Sequence, residues 1–183
     1  MPSIISQTDT PVRFGPSGRA MSQKIEDNLL ENFYLHINLE RTASINYLSM
    51  SLWFEQIDLR GFAEFFYKES INENKHSYRF CKYLISRGYS VVLHDLPSPR
   101  DKWDSIEEVI SDSFLMESDL TTSIHQLYSF AERSSDERTN VFLDPFIEDQ
   151  IKSEDEFAHI LGKVRFSKND PSSIMLIDNN LIS

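Results

Sequence analysis

The chain has 183 residues, 40% apolar and 26% charged, which suits one domain with a single core rather than two. Acids outnumber bases 29 to 18, and the formal net charge of −11 repels nucleic-acid phosphates and anionic membranes while attracting cations. Five glycines and seven prolines are too few for a turn-rich sandwich or barrel, and no apolar run reaches the roughly 18 residues of a membrane span.

Residues 1–20 contain no apolar stretch of signal-peptide length. They read as a mobile arm ahead of one domain spanning 21–183, with an organelle-targeting remnant as the other reading. Ser22 to Gln56 reads as a first long helix, with Leu29, Leu30, Phe33, Ile37, Ser44, Leu48 and Leu52 on an apolar stripe. Gly61 to Arg87 is a second helix, with Phe62, Phe65, Phe66, Tyr83 and Leu84 on its apolar faces and Gly88 as a left-handed stop. The one cysteine, Cys81, excludes an internal disulfide and a thiolate metal site, and fits a reducing compartment such as the cytoplasm.

Residues 89–103 carry a Pro-Ser-Pro run and a β-branched stretch, the pattern of an extended crossover. Asp104 or Ser105 caps a third helix that runs to Arg133, with Glu107 and Glu108 at its positive dipole end. Ser134 with Glu137 matches a capping box, so a fourth helix is expected from there to Phe166, bent near Pro145. Asp170 and Pro171 open a short fifth helix carrying Ile174, Met175, Leu176, Ile177 and Leu181. The fold class is therefore all-α: two helix hairpins joined by one long crossover into a four-helix bundle, with a short C-terminal helix.

Glu40 and Glu73 lie 33 positions apart, centred on the first turn. Glu117 and Gln150 also lie 33 apart, centred on the second. In an antiparallel hairpin such residues face each other, here roughly 25 Å from the turn at 1.5 Å per residue. Both hairpins thus set polar residues halfway along the bundle. His76 follows Glu73 by three and shares its face, and Tyr47 lies two turns beyond Glu40. Three buried carboxylates are costly unless partly protonated or neutralised by cations. Carboxylates with one imidazole and no thiolate suit iron(II), manganese or zinc. A buried polar network without metal stays open beside that reading. A second Glu-x-x-His pair, Glu156 and His159, is expected on another face of its helix, at the surface.

At these residues the sequence resembles the ferritins. INLERTASINYLSMSLW is similar to their first helix, with Glu40 and Tyr47; ESINENKHSYRF to the second, with Glu73 and His76. WDSIEEVISDSFLMESD resembles the third, with Glu117, and DQIKSEDEFAHIL the fourth, with Gln150. The phrases FLDP, SED and AERSSDERT are similar to those of marine cyanobacterial ferritins, and Gln150-x-x-Ser153 to the animal-type pattern. The resemblance implies a di-iron ferroxidase centre in which Glu40 and His76 hold one iron, Glu73 bridges, and Glu117 with Gln150 hold the second more weakly. It implies iron(II) and dioxygen as substrates and a homo-oligomeric shell of 24 copies storing ferric mineral. No nucleic-acid, membrane or haem partner is expected, because the second helix holds no methionine for haem. Tyr47 is expected either to supply an electron as a radical or to hydrogen-bond Glu40. The acids of the family's three-fold channel are replaced by Asn140 and Leu143, leaving Asp144 and Glu69 as the possible iron route, with a plain solvated acid as the other reading of Glu69. In the family the fifth helix lies against its symmetry copies. A di-iron oxidase without a storage shell is the alternative function, although that class usually repeats Glu-x-x-His on the fourth helix.

Overall fold

Five helices follow one another in a computed structural model that describes residues 11–181: α1 (Asp27–Gln56), α2 (Arg60–Ser86), α3 (Ile106–Arg133), α4 (Glu137–Ser167) and α5 (Pro171–Leu181). Among the described residues the only β pairing is the isolated bridge Phe14–Ala20. Of the sequence-expected arm, residues 1–10 lie outside the described part. Residues 11–20 form a tight loop in which Ser17 donates from N and Oγ to the Gly88 carbonyl, at 3.1 and 2.8 Å.

Two helix starts differ from expectation, each for a local reason. α1 begins at Asp27 rather than Ser22, because the Ile25 N–H goes to the Tyr89 hydroxyl at 2.8 Å and the Glu26 carboxylate caps Leu29 N. α4 is capped by Asp136, whose carboxylate accepts from Thr139 N at 3.3 Å. Ser134 instead closes α3, its hydroxyl donating to the Phe130 and Ala131 carbonyls. Ser105 caps α3 through Glu108 N, and Gly88 (φ +91°) follows the end of α2. α4 runs through Pro145 as one element.

α1 pairs with α2 and α3 with α4, and α1 also packs on α3. The crossover tracks α1: Tyr34 donates to Ser90 O, Arg41 to His94 O and Ser49 to Arg100 O. The apolar stripe of α1 holds for Leu29, Phe33 and Ile37 but not beyond. Leu48 and Leu52 are exposed, and Ala43, Tyr47, Met50 and Phe54 face inward instead. One apolar cluster, built on Phe33, Phe80, Leu127 and Phe146, fills one end of the bundle. A second, built on Tyr47, Phe54, Phe66 and Phe157, fills the other. The polar residues of the proposed site lie in the layer between them.

The fifth helix is part of the bundle, which corrects the expectation that its apolar face had to wait for symmetry copies. Ile174 and Ile177 are buried in the second cluster, and Asp178 Oδ1 accepts the Phe62 N–H at 2.8 Å. Gly61 permits this approach: a Cβ there would meet the Asp178 carbonyl oxygen at 1.8 Å. Met175 and Leu176 remain exposed. Deleting residues 170–183 is therefore expected to lower the thermal midpoint of the bundle by several degrees as well as weaken assembly, the first read by circular dichroism and the second by light scattering.

Candidate metal centre

Each of the four long helices brings one residue to the central layer. Glu40 on α1, Glu73 on α2, Glu117 on α3 and Gln150 on α4 are all buried, and His76 is half-buried one turn beyond Glu73. Glu40, Glu73 and His76 each offer a donor atom within 4.8 Å of the others. His76 Nδ1 lies 3.5 Å from Glu73 Oε2 and 3.7 Å from Glu40 Oε2. Both of those carboxylate oxygens are buried without a hydrogen-bond partner. Unpartnered buried carboxylate oxygens beside an imidazole form a donor set that fits a divalent cation of borderline hardness.

Glu117 is bound differently. Tyr47 OH donates to its Oε1, and Gln150 Nε2 donates to its Oε2 at 3.1 Å and its carbonyl at 3.2 Å. The sequence reading placed the Tyr47 hydrogen bond on Glu40; the α1 register turns the phenol toward α3 instead, stacked on Phe157 with ring centroids 5.7 Å apart. A cation meets unpartnered oxygens at Glu40 and Glu73, whereas each Glu117 oxygen already accepts one hydrogen bond and offers only its remaining lone pair.

The charges are strongly coupled. Burial and the neighbouring Glu40 carboxyl push Glu73 well above the usual carboxylate range. Burial opposes the charge on Glu40 too, but Glu73, His36 and His76 outweigh it and hold Glu40 below that range. Burial disfavours the His76 cation, yet the two carboxylates raise it to about 10. Burial raises Glu117, opposed by Tyr47 and Gln150. Without a cation, protons on Glu73 and His76 balance the centre, and a cation takes their place.

A cavity of about 310 Å³ opens from this cluster between α2 and α4. Glu69 stands on it with Glu73, His76, Asp149 and Glu156; Lys152 at the rim is paired with Asp149 at 3.2 Å. Burial, Glu117 and Glu156 raise Glu69 to about 7. Glu156 is exposed, as expected, but it faces this mouth, which corrects the placement on a different face; the rim is wide enough to take residues two turns along α4. His159 is exposed and does not line it. Asp144 is exposed and also lies off the cavity, while Leu143 is buried in the first apolar cluster. His36, which sequence reasoning passed over, is buried with Nε2 2.9 Å from Glu40 Oε1; its position four residues before Glu40 was the available signal.

The fold is shared with known proteins. Residues 31–167 match the family model described as a ferritin-like domain. The chain is 29% identical over 157 residues to a probable bacterial non-heme ferritin-like protein of Haemophilus influenzae, covering 86% of this chain and 95% of that one. It is 26% identical to a bacterial non-heme ferritin of Staphylococcus aureus with the same coverage. Among solved structures it is similar to an open pore ferritin of Archaeoglobus fulgidus, with a TM-score of 0.84, 26% identity and coverage of 86% and 98%.

Proposed function

This chain belongs to the ferritin family, and from that premise we propose that it is a cytoplasmic ferroxidase and iron store. In this reading it oxidises iron(II) with dioxygen at a di-iron centre and holds the ferric product inside a shell of 24 copies. The observation that carries the reading is the convergence of Glu40, Glu73 and His76 on one point with two buried, unpartnered carboxylate oxygens. Glu40 and His76 hold the first iron, Glu73 bridges, and Glu117 with Gln150 hold the second. The second ion binds more weakly, because Gln150 adds no charge and both Glu117 oxygens already share their electron density with a hydrogen bond, from Tyr47 and from Gln150. Two iron(II) ions supply two electrons; with two protons these convert one dioxygen to hydrogen peroxide and leave two iron(III). The protons displaced from Glu73 and His76 are available for that balance. Tyr47 donates its hydroxyl hydrogen to Glu117 and so helps to orient that carboxylate toward the second iron.

Assembly into a shell is supported by apolar side chains left on the surface, among them Leu35, Leu52, Leu93, Phe166 and Leu176. No described helix is long and apolar enough to cross a membrane. Size-exclusion chromatography of the purified protein tests the shell: elution at roughly half a megadalton is expected from a 21.4 kDa chain, and elution as a dimer favours a di-iron oxidase.

Iron reaches the centre through the acidic cavity, with Glu69 the last acid before Glu73. Asp144, off the cavity, serves at most an earlier stage on the outer surface. A carboxyl held near 7 is neutral below that pH and charged above it. The initial oxidation rate is therefore expected to rise about threefold or more between pH 6 and pH 8, and Glu69→Gln to flatten that rise while lowering the rate at pH 8. Stopped-flow absorbance across this range reads both; an unchanged profile in the variant removes Glu69 from the route.

A further inference from the structure

His36 is fully buried on α1, one turn before Glu40. Its ring is fixed on two sides. Nδ1 lies 2.9 Å from Ser123 Oγ on α3, and the ring meets Phe80 edge-on with centroids 4.4 Å apart. This sets Nε2 2.9 Å from Glu40 Oε1, at ion-pair distance but without the alignment of a directed hydrogen bond. The two oxygens of Glu40 therefore have different surroundings. Oε1 faces the imidazole anchored by Ser123, and Oε2 faces His76 at 3.7 Å with no hydrogen-bond partner.

We propose that His36, anchored by Ser123, is a positioning residue that holds Oε1 of Glu40 and thereby leaves Oε2 alone to meet the first cation. In the tautomer in which Ser123 donates to Nδ1, the ring hydrogen sits on Nε2, the nitrogen on the Glu40 side. A glutamate has three rotatable bonds, and a buried one free of such a partner loses more entropy on binding and is free to close on the ion with both oxygens. Groups that orient a ligating side chain commonly change metal affinity 10- to 100-fold. The inference rests on the reading of Glu40, Glu73 and His76 as a cation site.

Cobalt(II) titration of the iron-free protein, followed by visible absorption, tests it without any oxidation chemistry. His36→Leu is expected to weaken the first cobalt(II) step about 10- to 100-fold and to shift its ligand-field bands, leaving the second step in place. His36→Gln, which keeps a donor at similar reach, is expected to restore most of the affinity and the wild-type bands. Ser123→Ala, which frees the ring but keeps it, is expected to fall between. Circular dichroism shows whether each variant keeps its helices. A helical His36→Leu protein with the affinity and bands of the wild type overturns the proposal. If that variant does not fold, Ser123→Ala at wild-type affinity overturns it instead. Wild-type protein that takes up no cobalt(II) overturns the site reading itself, and this inference with it.

Discussion

Replacing Glu73 by Ala is expected to remove rapid iron(II) oxidation, lowering the initial rate at least about 100-fold while the helices and the assembled protein persist. Glu73 is the residue placed to touch both cations in the proposed centre, so its loss empties both positions. The fold has little to lose at that point. Burial and the Glu40 carboxyl already hold Glu73 well above its usual range, so what is lost is a neutral carboxyl's contact with Glu40 rather than a buried charge. Stopped-flow absorbance after aerobic mixing reads the rate, and circular dichroism with light scattering reads the fold and the assembly. A fast phase of wild-type amplitude takes Glu73 out of the chemistry.

The largest effect on stability is expected from Asp136→Ala, at the opposite end of the α3–α4 hairpin from the tail. The Asp136 carboxylate receives both guanidinium nitrogens of Arg87, at 3.0 and 2.9 Å, and caps α4 through Thr139. Arg87 also reaches Thr139 Oγ1 and Tyr83 OH, so this one network ties the end of α2 to the start of α4. Both charges are nearly inaccessible to water, with side chains 7% and 2% exposed. Losing one leaves the other buried and unpaired, a cost of about 3–5 kcal/mol, to which the lost cap adds about 1 kcal/mol. For a chain of this size that is a fall in thermal midpoint of roughly 10–20 °C. Asp136→Asn keeps the cap and an acceptor and is expected to lose less. A midpoint within two degrees of wild type in the alanine variant contradicts the role given to this pair.

Why the central layer was legible and this network was not is a matter of distance along the chain. Glu40 with Glu73, and Glu117 with Gln150, are mirrored about turns that can be located from local residue types, so antiparallel geometry brings them to one height without any tertiary information. Arg87 and Asp136 belong to different hairpins, and no local pattern pairs them. The same limit explains the cap of α4. Ser134 with Glu137 satisfies the capping pattern as written, but Asp136 wins because Arg87, from α2, fixes its carboxylate beside Thr139. Leu48 and Leu52 fit a helical stripe as well as Tyr47 and Phe54 do; which set faces inward depends on how α1 sits on α2 and α3. His36 was hidden by the same limit. It lies one turn from Glu40 on the expected face, but its meaning depends on Ser123 from α3. The tail helix had a legible boundary at Asp170 and Pro171 but not a legible destination, which is set by the bare backbone at Gly61.

The central claim is that the polar layer between the two apolar clusters takes two cations in order. Crystals of the protein soaked anaerobically with increasing iron(II), with anomalous differences collected at the iron edge, test it most directly. The expected result is a first peak among Glu40, Glu73 and His76 at low iron, joined at higher iron by a second against Glu117 and Gln150. Iron bound only outside this layer, with the layer empty at the highest concentration, would contradict the account.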